Sequence, residues 1–287
     1  MERVLTMTEQ AREFQGGGTW GPPEAAAEWR RGAAARLQAF GPATEMMLDL
    51  VKVSEGDWVL DVGAGAGDST LVAARRVGST GRVLATDISA SMLEAAAALA
   101  RKAGLKNVDT RVLDAQRLDL DPESFDAAVS RNCLMLIPDY QQALTSIRRV
   151  LKPGGRFAAI VFSTPERCPF LSLPHAIVFR MGRFTSPPPE QFGEFRLARP
   201  GTLADAFRTA GFRDTTVHTV PTRHHFPSLG EAMQYARGPL PLRELMARLS
   251  RSEQEQAWAE IENVLAQFAG PQGYDSPCEL LIGVGTK

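Results

Sequence analysis

The sequence predicts an α/β fold built around a parallel β-sheet, and three features of the chain support this prediction. Between residues 57 and 162, short runs of Val, Leu, Ile and Phe alternate with segments of helical periodicity, a pattern typical of βαβ units. The first of these runs leads directly into a glycine-rich turn and a helix. The last run follows a Lys-Pro-Gly-Gly turn, which is suited to end a helix and begin a strand.

The predicted strands of this region are short and rich in residues with high β propensity. They cover residues 57–62, 82–87, 109–114, 125–130 and 156–162. The helix after the second strand has a suitable N-cap in Ser89 and a suitable terminating glycine in Gly104, and its apolar residues recur at three- and four-residue spacing. We therefore expect this helix to pack on the sheet.

Beyond residue 162 the alternation changes. Residues 163–200 are rich in Pro, Phe and Arg, and residues 221–275 contain a long helical stretch. We interpret both segments as insertions that cover a substrate site. Helices in the second insertion are predicted to start at two capping boxes, Ser228 with Glu231 and Ser252 with Glu255. Residues 278–286 predict a last strand, which we expect to be antiparallel.

Composition and charge exclude several kinds of partner. Lys and Arg total 32 against 33 Asp and Glu, so no positive excess exists to attract nucleic acid or an anionic membrane. The three cysteines form no C-x-x-C pair, which fits a reducing compartment and provides no framework for a metal. No apolar run approaches the roughly 18 residues that a membrane span needs. We expect a cytoplasmic protein that acts without nucleic acid, metal or stable membrane insertion.

A ligand site is predicted at residues 59–70, VLDVGAGAGDST, where a strand breaks into a glycine-rich turn. Gly63 and Gly65 can adopt positive φ and have no Cβ atom, so the main chain can approach a ligand at the carboxyl edge of the sheet. A dinucleotide loop, G-x-G-x-x-G, would need glycine at position 68, where the chain has Asp68. A carboxylate disfavours a pyrophosphate and is compatible with the ammonium and sulfonium of S-adenosylmethionine.

Two further carboxylates follow the next two predicted strands, at the sheet edge where ligands bind. Asp87 is an acceptor-only group that suits two ribose hydroxyls, and Ile88 beside it suits the face of an adenine ring. Asp114 suits the adenine amino group, and the Ala115 amide suits a ring nitrogen. The sequence therefore predicts a nucleoside-binding edge.

Five segments resemble, in this order and spacing, the successive motifs of class I S-adenosylmethionine-dependent methyltransferases. The segments are VLDVGAGAGDST, LATDIS, RVLDAQRL, FDAAVSRNCLMLI and LKPGGRF. The resemblance covers residues 45–162, and its DIS-x-x-ML segment and LKPGG turn are most similar to the ubiquinone/menaquinone-biosynthesis C-methyltransferase group. The family commonly has Thr or Ser where this chain has Ala66, a departure that removes at most one hydroxyl contact.

The resemblance implies a Rossmann-like, seven-stranded sheet with strand order 3-2-1-4-5-7-6 and an antiparallel last strand. It implies an N-terminal helical lid over residues 1–44, with Trp20 and Trp29, before a methyltransferase domain over residues 45–287. It also implies that S-adenosylmethionine is the cofactor and S-adenosylhomocysteine its product. We expect the pocket to be lined by Asp61, Gly63, Ala64, Gly65, Asp87, Ile88, Met92, Asp114, Ala115, Arg131 and Asn132.

Three histidines are candidates for a general base that takes a proton from the methyl acceptor. His175 lies in the first insertion, and His224 and His225 follow the predicted strand 214–220. Adjacent side chains of an extended segment point in opposite directions, so at most one of His224 and His225 is expected to face a pocket.

The sequence thus predicts a methyltransferase that moves a methyl group to a C, O or N atom of a small, largely apolar metabolite such as a quinone, phenol or terpenoid. We expect it to act as a monomer or homodimer. One alternative is a non-catalytic methyltransferase-like binding or scaffold subunit, against which the intact loop and acidic residues count. The other is an NAD-dependent oxidoreductase, which the G-x-G-x-G spacing disfavours.

Overall fold

The computed structural model describes residues 27, 29–184, 193–238 and 240–287; the predicted lid residue Trp20 lies outside the described residues. The helices are α1 (Ala33–Leu50), α2 (Asp68–Val77), α3 (Ala90–Lys102), α4 (Tyr140–Val150), α5 (Pro169–Met181), α6 (Thr202–Thr209), α7 (Leu229–Ala236), α8 (Leu240–Ala247) and α9 (Arg251–Leu265). The strands are β1 (Trp58–Val62), β2 (Arg82–Asp87), β3 (Val108–Val112), β4 (Phe125–Arg131), β5 (Leu151–Phe162), β6 (Arg213–Phe226), β7 (Ala269–Gly270) and β8 (Gly273–Thr286).

These strands form one mixed sheet in the order β3-β2-β1-β4-β5-β8-β6, and the two-residue strand β7 pairs with β8. Strands β1 to β5 pair in parallel, whereas β8 is antiparallel to both β5 and β6. The predicted order and the antiparallel last strand are confirmed. The sheet has one strand more than the predicted seven, because the chain turns back between Gly270 and Gly273 and adds β7.

The centre of the sheet is buried because helices α1 to α4 and α6 pack against its strands. The resulting hydrophobic cluster, the sheet core, includes the fully buried residues Met47, Leu60, Ala128, Ile147 and Phe157. Phe157 on β5 stacks on Phe207 of α6, with the ring centroids 5.3 Å apart. Burial of this apolar area is the main stabilising contribution to the fold.

Two long strands extend beyond the sheet core. Strand β5 ends at Phe162, opposite Leu280, whereas β6 and β8 remain paired as far as Phe226 and Tyr274. This extension, together with α5 and α7 to α9, encloses a second hydrophobic cluster, which we call the aromatic cap. Because β5 is parallel to β4, β1 and β2, the aromatic cap begins at the edge where all four strands end.

The predicted insertions supply the helices of this cap: α5 lies within residues 163–200, and α7 to α9 lie within residues 221–275. Helix α1 runs without interruption across residue 44, and the division into a lid and a domain there stays a prediction. No helix in the described ranges is long and apolar enough to cross a membrane.

Candidate functional site

The glycine-rich loop lies between β1 and α2, at the carboxyl edge of the sheet. Gly63 and Gly65 have φ values of 69° and 54°, as the sequence predicts. A Cβ atom on Gly63 would lie 2.1 Å from the sulfur of Cys133, whereas the nearest atom to a Cβ on Gly65 would be Trp29 Nε1, at 3.6 Å. Gly63 is therefore required by packing, and Gly65 leaves room beside the loop.

Asp87 holds this loop in place from the end of β2. Its Oδ2 accepts a hydrogen bond from the Gly65 amide at 2.9 Å, and its Oδ1 accepts one from the Ser89 amide at 2.9 Å. Ala64 also joins the loop to β2, because its amide donates to the Thr86 carbonyl at 3.0 Å. Burial raises the pKa of Asp87, and the three backbone donors around it oppose that effect. Three backbone donors do not use all the acceptor capacity of a carboxylate, so Asp87 can still accept a hydrogen bond from a ligand.

The two apolar residues predicted near Asp87 differ in exposure. Ile88 is 43% exposed, although it is a large hydrophobic residue, and so offers an apolar surface next to the carboxylate. Met92 is 1% exposed and packs with Ala66 and Ala95, against Trp29. Met92 therefore packs beneath the loop in the protein interior, whereas the Ile88 side chain is exposed to solvent.

Asp61 is completely buried at the end of β1. Its Oδ2 accepts hydrogen bonds from Ser69 Oγ at 2.9 Å and Thr70 Oγ1 at 2.7 Å, which fixes the start of α2. Its Oδ1 has no hydrogen-bond partner among the described residues. Burial raises the pKa of this carboxyl, and the two hydroxyl donors oppose the shift.

Asp114 is exposed just beyond β3. Its Oδ1 accepts from the Gln116 amide at 2.9 Å and so begins a short 3₁₀ turn that contains the buried Ala115. The Leu113 amide donates to the Asp87 carbonyl at 3.0 Å. The predicted nucleoside-binding residues of β2 and β3 are thus brought to neighbouring positions on one edge.

Arg131 and Asn132 lie at the carboxyl end of β4. The Arg131 guanidinium donates to Thr44 Oγ1 at 3.2 Å and to Asp68 Oδ2 at 3.1 Å. Asn132 has φ = 53°, and its buried Oδ1 has no partner in the described part of the chain. Asp68 is thus paired with Arg131, and the compatibility of a carboxylate at this position with the ammonium and sulfonium of S-adenosylmethionine stays a prediction.

Arg36 is a buried cation beside the candidate site that was not predicted from the sequence. It is 2% exposed, its Nε donates to Asp68 Oδ2 at 2.8 Å, and its guanidinium lies 4.0 Å from the centroid of the Trp29 ring. A signal was present in the sequence, because Arg36 interrupts the apolar face of α1 formed by Ala39, Phe40, Ala43 and Met47. A charge on a buried helix face needs a specific partner.

The three candidate bases occupy different surroundings. His175 on α5 has Nδ1 at 2.8 Å from the Leu171 carbonyl and Nε2 at 3.7 Å from a Glu194 carboxylate oxygen. His225 is half-buried on β6, opposite Asp275 of β8. Within the described ranges, neither the His175 ring nor the His225 ring forms a ring contact with the aromatic side chains of the cap.

His224 does lie among them. Its ring stacks on Phe170 at 4.9 Å and meets Phe40 edge-on at 5.7 Å, and it is 4% exposed. Burial lowers the pKa of His224 to about 4, so the imidazole is neutral at physiological pH. Its buried Nδ1 has no hydrogen-bond partner within the described ranges.

The groups around the glycine loop fit S-adenosylmethionine. Asp61 Oδ1 and Asn132 Oδ1 are buried hydrogen-bond acceptors without a partner in the described residues. Arg36 Nη2 is a buried donor that also lacks a hydrogen-bond partner there. Native structures rarely leave such atoms unsatisfied, and an amino-acid group carries both an ammonium and a carboxylate. Asp87 and the exposed Ile88 suit a ribose and an adenine ring, so both ends of the cofactor find matching chemistry.

Comparison with known proteins agrees with this chemistry. A methyltransferase-domain family model matches residues 53–177. The chain is 33% identical over 154 residues to aklanonic acid methyltransferase DauC of a Streptomyces species, covering 54% of this chain and 63% of that protein. It is 31% identical over 183 residues to demethylmenaquinone methyltransferase of Staphylococcus epidermidis, covering 60% and 75%. The chain thus spans less than two-thirds of the first relative.

A solved structure with a similar fold is that of the YcgJ protein of Bacillus subtilis. Its TM-score is 0.59 with 19% sequence identity, and the alignment covers 86% of this chain and 98% of that one. The sheet order, the loop geometry and the match to the menaquinone enzyme agree with one another. The chain belongs to the class I S-adenosylmethionine-dependent methyltransferase family and resembles its ubiquinone/menaquinone C-methyltransferase group.

Proposed function

We propose that this protein transfers the methyl group of S-adenosylmethionine to a C, O or N atom of a small, largely apolar metabolite. The observation that carries the proposal is the aromatic cap, which rises from the same sheet edge as the glycine loop. Phe170 lies within 6.0 Å, centroid to centroid, of each of four rings, those of His224, Phe226, Tyr235 and Tyr274. An acceptor that contacts these rings is expected to be apolar.

The relatives support a small-molecule acceptor. One is named for aklanonic acid and the other for demethylmenaquinone, and both names refer to small molecules. The balance of 32 basic against 33 acidic residues offers no general attraction for a nucleic acid. We therefore place the acceptor in or under the aromatic cap and propose no macromolecular partner.

The cofactor, when bound, supplies an electrophilic sulfonium methyl group. The work left to the protein is to align an acceptor with that methyl group and to exclude water, and such positioning can contribute roughly 7–11 kcal/mol. In this proposal Asp87 accepts hydrogen bonds from the ribose hydroxyls, and Ile88 and Asp114 hold the adenine. His224 accepts the acceptor's proton or a hydrogen bond from it, because it is neutral and its Nδ1 is unpartnered among the described residues.

The test is methyl transfer from isotope-labelled S-adenosylmethionine into a cell extract, with the label then separated into lipid, aqueous small-molecule, protein and nucleic-acid fractions. The matched control is the Asp87→Ala variant at the same concentration. We expect protein-dependent label in the lipid fraction, which mass spectrometry can then assign to a product.

Label in the protein or nucleic-acid fraction would contradict the proposed acceptor class while leaving methyl transfer in place. Label in no fraction, with S-adenosylhomocysteine still bound by the purified protein, would instead favour the scaffold alternative.

A further inference from the structure

Two arginines share one carboxylate oxygen beside the glycine loop. Arg36 Nε lies 2.8 Å and Arg131 Nη2 lies 3.1 Å from Asp68 Oδ2, and all three side chains are at most 8% exposed. Asp61 is a second buried carboxyl that interacts electrostatically with Arg131, but its Oδ2 accepts its hydrogen bonds from Ser69 and Thr70. The arginine cluster therefore holds two cations against one directly bonded anion, a costly arrangement in a buried site.

The Arg36 guanidinium is also incompletely bonded. Its Nε is bonded to Asp68, and its Nη1 donates to the Trp29 carbonyl at 2.6 Å. Its Nη2 is buried and donates to no hydrogen-bond acceptor in the described part of the chain, although the Tyr235 side chain is a further polar neighbour of the guanidinium. A buried guanidinium nitrogen without an acceptor is unfavourable. An additional anionic group at Arg36 Nη2 would both accept a hydrogen bond and balance the positive charge of the two arginines.

Arg36 lies next to the glycine-rich loop. Trp29, which stacks on Arg36, packs against Ala66 of the loop, and its Nε1 would lie 3.6 Å from a Cβ on Gly65. From the other side, the ring of Tyr235 in the aromatic cap would lie 2.5 Å from a Cβ on Gly32, one turn before Arg36. Arg36 thus lies where the N-terminal helix, the loop and the cap meet.

We propose that Arg36 binds the carboxylate of the cofactor's amino-acid group through Nη2, with Asp68 and Trp29 holding the guanidinium in position. This inference rests on the proposed function, because it assumes that S-adenosylmethionine binds at the loop. A guanidinium suits a carboxylate in both charge and planar geometry. Arg36 thereby makes the site selective for a nucleoside that carries an amino-acid group.

The test compares two ligands by calorimetry. S-adenosylhomocysteine carries the amino-acid group, whereas 5′-methylthioadenosine has the same nucleoside without it. We expect Arg36→Met to weaken S-adenosylhomocysteine binding on the order of 10- to 100-fold, the effect of one hydrogen bond to a charged group, and to change 5′-methylthioadenosine binding less than about twofold. Arg30→Met, an exposed arginine just before the same helix, is the control and should change neither affinity.

Arg36→Lys covers the possibility that the methionine variant does not fold, since it keeps the charge beside Asp68. We expect it to lose part of the preference for S-adenosylhomocysteine, because an ammonium lacks the planar fork. Unchanged S-adenosylhomocysteine affinity in either variant, or an equal loss for both ligands, would overturn the role of Arg36 while leaving the proposed function standing. Wild-type protein that binds neither ligand would contradict the proposed function itself.

Discussion

At the scale of single residues, the contribution of Asp87 to cofactor binding can be tested by substitution. Its carboxylate accepts amide hydrogen bonds from Gly65 and Ser89 and in our proposal accepts the ribose hydroxyls as well. We expect Asp87→Ala to weaken S-adenosylhomocysteine binding by at least about tenfold, because charge-assisted hydrogen bonds contribute roughly 1.5–3 kcal/mol each. Calorimetry measures the S-adenosylhomocysteine affinity. The control is Asp109→Ala, because Asp109 is an exposed aspartate on β3. Full retention of affinity would refute the assignment of the pocket.

His224 is the candidate base that the structure places among the aromatic rings of the cap. If it accepts a proton from the methyl acceptor, His224→Gln should lower kcat by roughly 10²- to 10⁴-fold and leave the S-adenosylhomocysteine affinity unchanged. The adjacent His225→Gln variant is the matched control, because His225 is only half-buried. Equal activity of the two variants would remove His224 from the mechanism.

The same histidine predicts a dependence of stability on pH. Burial lowers the pKa of His224 to about 4 from an ordinary value of 6.5, so the unfolded chain binds a proton between these pH values and the folded chain does not. Stability should therefore fall as the pH decreases from 6.5 to 4, by up to the order of 3 kcal/mol for this residue. In His224→Phe, the free energy of unfolding measured in urea should depend less on pH between 4 and 6.5 than in the wild type. An equally steep dependence on pH in the variant would contradict the argument.

At the scale of secondary-structure elements, the start of α9 shows how a local pattern can mislead. The sequence has two overlapping Ser-x-x-Glu patterns, and the predicted box, Ser252 with Glu255, is wrong. The structure uses Ser250 and Glu253: Ser250 Oγ accepts from the Glu253 amide, and Glu253 Oε2 accepts from the Ser250 amide at 2.8 Å. Both patterns satisfy the rule, and the structure begins α9 at the earlier one, Ser250 with Glu253.

A pair of alanine variants tests this choice. Ser250→Ala should lower the free energy of unfolding by about 1 kcal/mol, because it removes the acceptor that caps α9. Ser252→Ala, inside the first turn, should be neutral within about 0.5 kcal/mol. Urea unfolding of both variants measures the difference, and equal values would show that Ser250 contributes no capping energy.

The other elements show which sequence signals suffice. The strands of the sheet and the helix with its N-cap at Ser89 were predicted because strand runs and caps are local patterns. The strand β7 was not, because two residues carry no periodicity. The positive φ of Gly63 and Gly65 was likewise predicted from the pattern of the loop, whereas the ribose-binding role of Asp87 stays a prediction. Arg36 was missed because its role depends on Asp68 and Arg131, which lie 32 and 95 positions away in the chain.

At the scale of the whole molecule, the described residues contain two large hydrophobic clusters, besides two small ones at the glycine-rich loop. The sheet core is built on β1, β2, β4, β5 and β8, and the aromatic cap is built on α5, α7 to α9 and the extended ends of β6 and β8. The cap could not be assembled from the sequence, because residues distant in the chain meet only where β6 and β8 continue beyond β5. Separate clusters allow a protein to open in one part while the other remains folded.

Two matched isoleucines test this division. Ile261 in α9 and Ile147 in α4 are both completely buried, the first in the aromatic cap and the second in the sheet core. Truncation to alanine should remove roughly 2–5 kcal/mol at either site. Hydrogen exchange should show faster exchange for Ile261→Ala in the cap helices while β1, β4 and β5 stay protected, whereas Ile147→Ala should speed exchange throughout the sheet.

The same pair separates the two halves of the proposed site. If the cofactor binds at the loop and the acceptor under the cap, Ile261→Ala should raise KM for the acceptor several-fold and leave S-adenosylhomocysteine affinity unchanged. The reason is that β1 and α2 pack in the sheet core and Asp87 lies at the end of β2, outside the aromatic cap. Ile147→Ala should impair both parameters to the extent that it unfolds the sheet. The contrary result would be a loss of S-adenosylhomocysteine affinity in Ile261→Ala while hydrogen exchange shows β1, β4 and β5 still fully protected. That result would mean that the aromatic cap itself binds the cofactor, and the acceptor would then have to be placed elsewhere.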